Sequence, residues 1–149
     1  MIEIDDIDKS ILDVIKNNSR LSTIQISKRT GIPSATVNRR MRKMIKNEII
    51  KNFSVVLNYE KLGLKTAAYI LIRSSPGADF YVVLDEVIKY PGVEDIASIT
   101  GPLDIIIKVR VKDTDELSRF IFNFVRNIPM VSHTETLLVL NPKRTKKKK

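Results

Sequence analysis

Two residues in the N-terminal part of the chain, Gly31 and Pro33, determine how its helices can be arranged. Glycine suits the left-handed residue that ends a helix, and proline is tolerated only before or within the first turn of the next helix. One helix is therefore predicted to end at about Arg29, and another to run over about residues 34–46. Residues 30–34 are left as a short turn between the two helices.

The apolar pattern predicts three helices in this region. Isoleucines recur at positions 7, 11 and 15, the spacing of one helix face, which predicts a first helix over residues 6–17. In the helix after the turn, Val37, Met41 and Met44 form an apolar stripe, and the remaining face is polar and basic. The second and third helices, joined by a turn that contains glycine, are therefore predicted to form a helix-turn-helix.

The second half of the chain contains an internal repeat at an offset of 38 residues. Residues 66–73 match residues 104–111 as strands, and a proline recurs at the same offset after each predicted helix. The helices are predicted over about residues 79–90 and 114–127. Each unit is then strand–helix–strand, and the order βαββαβ is that of a ferredoxin-like arrangement.

The predicted fold class is α+β, with an N-terminal winged helix-turn-helix followed by a βαββαβ ferredoxin-like αβ-sandwich. Residues 1–57 are predicted to form the first domain, in which the apolar segment 49–57 supplies a short strand or wing. Residues 58–65 are predicted to be a hinge and residues 66–141 the second domain. Residues 142–149 are predicted to be a disordered basic tail.

Positive charge is concentrated in two places. The chain has a formal net charge of +9, and residues 18–53 carry nine basic residues against one acid, Glu48. Residues 142–149 carry six basic residues and no acid. This distribution indicates a polyanionic partner, and double-stranded DNA fits a helix-turn-helix. The tail either adds phosphate contacts or only solubilises the chain.

The composition excludes several kinds of site. There is no cysteine, and a single histidine, His133, argues against a multi-histidine metal centre, so no cofactor or metal is expected. No Ser/His/Asp arrangement or glycine-rich phosphate loop is present, so no enzymatic activity is expected. The chain has no transmembrane-length apolar run, and its acidic start lacks the features of a secretory signal. We therefore expect a cytoplasmic protein with no membrane partner.

The exposed face of the third helix carries the candidate DNA contacts. Arginine side chains read guanine or hold phosphates, asparagine reads adenine, and hydroxyl and lysine groups hold the backbone. The candidates are Ser34, Thr36, Asn38, Arg39, Arg42 and Lys43. The alternative is that this face is only the solvated side of a three-helix bundle.

Two segments of the second half are candidate small-molecule sites. Gly101 begins a turn before Asp104, which opens an otherwise apolar strand. A carboxylate beside exposed loop amides can bind the ammonium and carboxylate groups of an amino acid, although a β-turn with a capping aspartate is the simpler alternative. In the last strand Thr134 and Thr136 share one face and His133 lies on the other, an arrangement also typical of an exposed strand end.

Five segments occur in a specific order: DDIDKSILDVIKNNSRLS, TIQISKRTGIPSATVNRRMRKM, NEIIKNFSVVLNYEKLG, ITGPLDIIIKV and TETLLVL. Over about residues 3–141 the chain resembles the Lrp/AsnC family of transcriptional regulators, also called feast/famine regulators. The resemblance implies a winged helix-turn-helix joined to an αβ-sandwich regulatory domain. It also implies dimers formed through the sheets, frequent assembly into octamers, and an amino-acid effector near the dimer–dimer contacts.

On this family pattern residues 34–43 are the recognition helix. The effector-binding candidates lie in a loop and on the strand that faces it: Gly101, Asp104, His133, Thr134 and Thr136. Two positions depart from the pattern. Pro33 replaces the usual serine, so the cap of the recognition helix is expected to differ. Glu48 replaces the usual glycine and places a negative charge close to the DNA.

Three other functions remain open at this point. An architectural protein that coats DNA would bind scrambled DNA equally well and would not respond to an effector. A tetrapyrrole decarboxylase, which some sequences resembling this family are, would need acid–base groups, typically histidines, in the second-half pocket. A plain oligomerisation domain would not bind DNA at physiological salt.

Overall fold

A computed structural model describes residues 3–77 and 79–140 of the chain. The chain divides into two compact units whose boundary lies between Leu57 and Asn58. The predicted basic tail, residues 142–149, lies outside the described residues.

The N-terminal unit contains three helices: α1 (Asp6–Asn17), α2 (Thr23–Thr30) and α3 (Ser34–Lys46). These bounds confirm the helices predicted from the apolar pattern. The α2–α3 turn has the predicted chemistry, because Gly31 ends α2 in the left-handed conformation at φ 73°. The three helices share a small core made by Ile11, Ile15, Ile26, Val37, Met44 and Ile50.

Residues 49–57 are predicted to supply a short strand or wing, and the strand is wrong for the single chain, because the structure assigns no strand there. The Ile49 and Ile50 amides both donate to the Met44 carbonyl oxygen, at 2.9 and 3.2 Å, which completes the end of α3. Residues 51–57 are exposed, and Val55 and Val56 are more than 70% accessible. A strand requires a hydrogen-bonded neighbour, and the described residues of this unit supply none.

The C-terminal unit contains one antiparallel sheet of four strands in the order β2-β3-β1-β4. Its strands are β1 (Thr66–Ser74), β2 (Val93–Ser98), β3 (Ile105–Val111) and β4 (Val131–Leu138). Helix α4 (Phe80–Val87) joins β1 to β2, and a helical segment that begins with α5 (Thr114–Arg119) joins β3 to β4. This confirms the predicted α+β, ferredoxin-like order.

One face of the sheet is covered by these helices and forms the main core. Alternate residues of β1 and β3 are fully buried there, among them Ile70, Ile72, Ile105, Ile107 and Val109. The other residues of each strand lie on the opposite, more open face, as the two-residue period of a strand requires.

The helices of this unit differ from the prediction in two places. Helix α4 ends at Val87 rather than near residue 90, because Pro91 disfavours the helical conformation at the residue before it. The second helix is not continuous. After Arg119 it widens into a π-helical turn (Phe120–Phe124) and then tightens into a 3-10 turn (Val125–Asn127). None of the helices in the described ranges is long and apolar enough to cross a bilayer.

Candidate nucleic-acid interface and ligand pocket

Helix α3 presents one apolar face and one basic face. Val37 and Met44 are buried against α1 and α2. Of the six predicted DNA contacts, Thr36 is half-buried and the other five are exposed: Ser34, Asn38, Arg39, Arg42 and Lys43. Within the described residues, no carboxylate lies within 4.0 Å of the cationic groups among them. These charges are therefore available to an external anion.

Arg40, also on α3, has a different environment. Its Nη1 atom lies 2.6 Å from Asp5 Oδ2 and 3.2 Å from Asp8 Oδ2. Asp8 is 2% exposed, and its other oxygen has no hydrogen-bond partner among the described residues. The contact with Asp5 raises the pKa of Arg40 and thus stabilises its charge. Arg40 therefore joins α3 to α1 and is not part of the exposed basic face.

The start of α1 is stabilised by Asp5, whose carboxylate also contacts Arg40. Asp5 caps the helix, because its Oδ1 accepts the Asp8 backbone N–H at 2.9 Å. This hydrogen bond, assisted by Arg40, lowers the pKa of Asp5 despite some desolvation. The acidic N-terminal residues thus hold a basic residue of α3 in place.

Both departures from the family pattern have structural consequences. Pro33 is the N-cap of α3 and provides no side-chain hydrogen bond, so the first-turn amides of this helix lack the usual cap. Glu48, two residues after the end of α3, has φ +55°. A side chain is strained in this left-handed conformation and glycine is not, so the glycine usual in the family suits the position better.

The loop that contains Gly101 and Asp104 is hydrogen-bonded to the end of β1. Asp104 Oδ2 accepts the backbone N–H of Ser74 at 2.7 Å, and the Asp104 N–H donates to the Ile72 carbonyl at 2.9 Å. Gly101 is exposed with φ +136°, a conformation in which a side chain would be strained. The carboxylate of Asp104 therefore has a structural role in tying this loop to β1.

The predicted residues of β4 are divided between its two faces. Thr134 and Thr136 pair with Ile72 and Ile70 on the helix-covered face; Thr134 is buried, whereas Thr136 is exposed. His133 is exposed, and its Nε2 lies 3.5 Å from Glu135 Oε1. A cavity of about 310 Å³ lies where β4 begins, lined by Arg126, Val131, Ser132, His133 and Thr134.

The single chain does not bring all the predicted effector residues into one pocket. Gly101 and Asp104 lie beside β3, and Thr134 lies on β4. Strand β1 runs between β3 and β4, which places β3 and β4 about 10 Å apart. Only Thr134 and His133 of the five predicted residues line the cavity beside β4.

Sequence reasoning missed Arg126, which lines this cavity. Its position four residues after Phe122, in the last turn before a strand, is the available signal in the sequence. A larger cavity of about 680 Å³ lies in the N-terminal unit, between the end of α1 and residues 49–56, away from every predicted contact. Among the described residues, no group of three or more potential metal ligands is clustered.

Comparison with known proteins identifies both halves of the chain. A family described as Lrp/AsnC ligand binding domain matches residues 67–148, and one described as winged helix-turn-helix DNA-binding matches residues 4–51. An HTH-type transcriptional regulator of Pyrococcus horikoshii is 34% identical over 137 residues, 91% of each chain. The HTH-type transcriptional regulator FL11 of Pyrococcus furiosus is 34% identical over 137 residues, 92% of this chain and 89% of FL11.

Solved structures share the fold. E. coli AsnC superposes with a TM-score of 0.88 at 26% identity, covering 97% of both chains. A transcriptional regulator from Neisseria meningitidis, solved as an L-methionine complex, gives a TM-score of 0.90 at 22% identity over 97% of this chain and 95% of that one. A feast or famine regulatory protein from M. tuberculosis, also complexed with L-methionine, gives 0.89 at 20% identity over 99% of each chain.

Proposed function

The chain belongs to the Lrp/AsnC family of DNA-binding transcriptional regulators, and from this identity we propose that it recognises specific duplex sequences through the exposed face of α3. It is a regulator and not an enzyme, in agreement with its relatives, which are named transcriptional regulators. We also propose that this DNA-binding regulator is located in the cytoplasm.

The observation that carries the proposal is the contrast among the arginines of α3. Arg40 is held by Asp5 and Asp8, whereas Arg39 and Arg42 are exposed and have no carboxylate within 4.0 Å among the described residues. Arginine reads the guanine edge in the major groove with two parallel hydrogen bonds, and asparagine reads adenine in the same way. Arg39, Arg42 and Asn38 are the proposed base-reading residues.

The remaining exposed groups of α3 are proposed to position the helix. Ser34 and Thr36 lie in the first turn, whose amides have no side-chain cap, and phosphate oxygens are suitable acceptors for such groups. Lys43 adds a positive charge on the same exposed surface. Contacts of this kind fix the register of a protein on DNA without reading sequence.

A homodimer is proposed to present two recognition helices to a pseudo-palindromic site. The open face of the sheet supports this assembly, because it carries apolar side chains next to one another. Tyr69 is 37% exposed and Leu137, its partner on β4, is 56% exposed. Packing two such faces together would bury them, and further association of dimers into octamers is part of the same proposal.

An amino acid is proposed as the effector in the C-terminal unit, at contacts between subunits. The L-methionine complexes of the Neisseria meningitidis and M. tuberculosis regulators support an effector of this class. The proposed contacts are Gly101, Asp104, His133, Thr134 and Thr136. Because Gly101 and Asp104 lie apart from Thr134 within one chain, a site that uses them all requires more than one subunit. Coupling between effector and DNA is expected to be about 1–3 kcal/mol.

Replacement of Arg42 tests the DNA-binding part of the proposal. We expect Arg42→Ala to weaken binding to the duplex upstream of the protein's own gene by about 1–3 kcal/mol, and to weaken binding to a scrambled duplex less. Arg119→Ala is the control, because it removes the same charge from an exposed position of the C-terminal unit. Equal losses on both duplexes would show that Arg42 contacts phosphate rather than bases.

A further inference from the structure

Arg126 lies at the cavity of about 310 Å³ beside the start of β4. We propose that this cavity binds a carboxylate group of a small ligand and that Arg126 is the residue that recognises it. The inference rests on the proposed amino-acid effector and assigns to that effector a specific charged contact.

The guanidinium of Arg126 is held in a fixed orientation. Its Nε donates to Thr134 Oγ1 at 3.0 Å, and its Cζ lies 4.7 Å from the centroid of the Phe122 ring. Because Nε is already used, the Nη1 and Nη2 groups remain for a ligand. A carboxylate accepts from two guanidinium N–H groups in parallel, so an arginine oriented in advance is well suited to bind it.

The irregular helix before β4 positions this arginine. Phe122 lies in the π-helical turn and Arg126 in the 3-10 turn that follows it. The π-helical turn is anchored by its aromatic residues, since the Phe120 ring lies 4.1 Å from Tyr90 and 5.6 Å from Phe124, centroid to centroid. Single π turns inside helices occur frequently at functional sites, which agrees with a binding role for this segment.

Arg126 is not neutralised by another part of the chain. Among the residues that the structure describes, no carboxylate lies within 4.0 Å of its guanidinium. Glu135 lies on the opposite face of β4 from Thr134 and is 3.5 Å from His133. A bound anion would therefore supply the missing negative charge. The Thr134 hydroxyl accepts from Arg126 and keeps its own proton as a further donor.

The size of the cavity indicates the class of ligand. A volume of about 310 Å³ is at the lower end for small-molecule sites, so it suits a free amino acid better than a large cofactor. An amino acid offers this chemistry from its α-carboxylate, and aspartate or glutamate also offers it from the side chain. Both sources would make the same contact with Arg126, and suitable probes separate them.

Isothermal titration calorimetry of the full-length protein tests the inference with four probes: L-methionine, L-methioninamide, L-glutamate and L-isoglutamine. Recognition of the α-carboxylate predicts that L-methionine binds and L-methioninamide does not. Recognition of a side-chain carboxylate predicts that L-glutamate and L-isoglutamine bind and L-methionine does not. In either case Arg126→Gln is expected to lower the affinity for the probe that the wild type binds by at least about tenfold.

Two sets of variants distinguish recognition from a general loss of structure. Arg119→Gln removes the same charge from an exposed position of α5 and is expected to bind the probes as the wild type does. The Thr134 hydroxyl orients Arg126, so Thr134→Val is expected to weaken binding and Thr134→Ser to keep most of it. The unfolding midpoint of Arg126→Gln by circular dichroism is expected to be close to that of the wild type, which would show that the variant is folded.

Several results would overturn the inference. They are unchanged affinity in Arg126→Gln, binding of L-methioninamide as tight as that of L-methionine, and binding of no probe at millimolar concentrations. In the first two cases the wild type still binds an amino-acid probe, so the proposed effector would stand and only the role of Arg126 would fail. If the wild type bound the upstream duplex no more tightly than a scrambled duplex, the proposed DNA recognition would instead be contradicted.

Discussion

Arg40 Nη1 lies 3.2 Å from Oδ2 of Asp8, a buried residue on the neighbouring helix α1. This contact divides the arginines of α3 into two groups. Arg40 fixes α3 to α1, whereas Arg39 and Arg42 remain exposed. Adjacent residues of one basic segment therefore have different roles, and their substitutions are expected to have different effects.

Replacement of Arg40 is expected to destabilise the N-terminal unit. Arg40→Gln removes the charge that faces Asp5 and the buried Asp8, and a buried carboxylate without its partner is unfavourable. We expect a lower thermal midpoint by circular dichroism. Arg39→Gln is the matched control and is expected to keep the wild-type midpoint while weakening DNA binding. A lower midpoint in both variants would contradict this division.

Acid pH is expected to weaken the cap of α1. The pKa of Asp5 in the folded state is below its ordinary value of 3.8, first because Asp8 donates its backbone N–H and also because Arg40 is close. The stabilisation is therefore present above about pH 4 and is lost as pH falls through the lowered pKa. Asp5→Asn keeps a capping oxygen but lacks the charge.

The prediction for Asp5→Asn is a pH-dependent difference in unfolding midpoint from the wild type. This difference is expected to be largest near neutral pH and to shrink as the pH falls through the lowered pKa of Asp5. Asp13→Asn is the control, because Asp13 is exposed on the same helix and has no ion pair among the described residues. A difference for Asp5→Asn that stays constant from neutral to acid pH would show that the cap does not depend on charge.

Glu48 combines backbone strain with a negative charge next to α3. Because Glu48 has φ +55°, Glu48→Gly is expected to stabilise the protein by about 0.5–1 kcal/mol. This value is the strain relieved in the folded state minus the conformational entropy that glycine adds to the unfolded chain. Glu48→Gln keeps the strain and removes only the charge. Denaturant unfolding and DNA titration should therefore show higher stability only for Glu48→Gly and tighter DNA binding for both. Equal stability of both variants would rule out strain at this position.

The open sheet face is expected to hold two subunits together. Leu137→Glu places a charge on this face beside Tyr69 and is expected to shift the protein to monomers in sedimentation velocity. Ile88→Glu is the control, since Ile88 is 62% exposed, close to the 56% of Leu137, but lies at the end of α4. An assembly unchanged by Leu137→Glu would place the subunit contact elsewhere.

Much of the fold is predictable because local signals and the apolar pattern agree. The helices of the N-terminal unit follow from isoleucine spacing, from the left-handed Gly31 and from Pro33, and the repeat gives the order of strands and helices along the second half of the chain. The strand over residues 49–57 is not predictable in the same way. Its composition favours a strand, but a strand also needs a neighbour, which composition does not supply.

The candidate site is predictable only where exposure follows from helix periodicity. The exposed basic face of α3 is predictable because residues opposite the apolar stripe of a helix face solvent. The partner of Arg40 could not be found, because it depends on how α1 packs against α3. Arg126 was missed for a similar reason, since the π-helical turn that precedes it has no clear sequence signal.

The most direct measurement is fluorescence anisotropy with the duplex upstream of the protein's own gene and a scrambled duplex of equal composition. Both are titrated from about 50 to 200 mM salt, the range over which binding driven by phosphate contacts weakens strongly. Sequence-specific recognition by α3 predicts that the upstream duplex keeps an advantage of about 10³ or more at the higher salt. Equal affinities, lost together as salt rises, would contradict it and would identify a protein that coats DNA through charge alone.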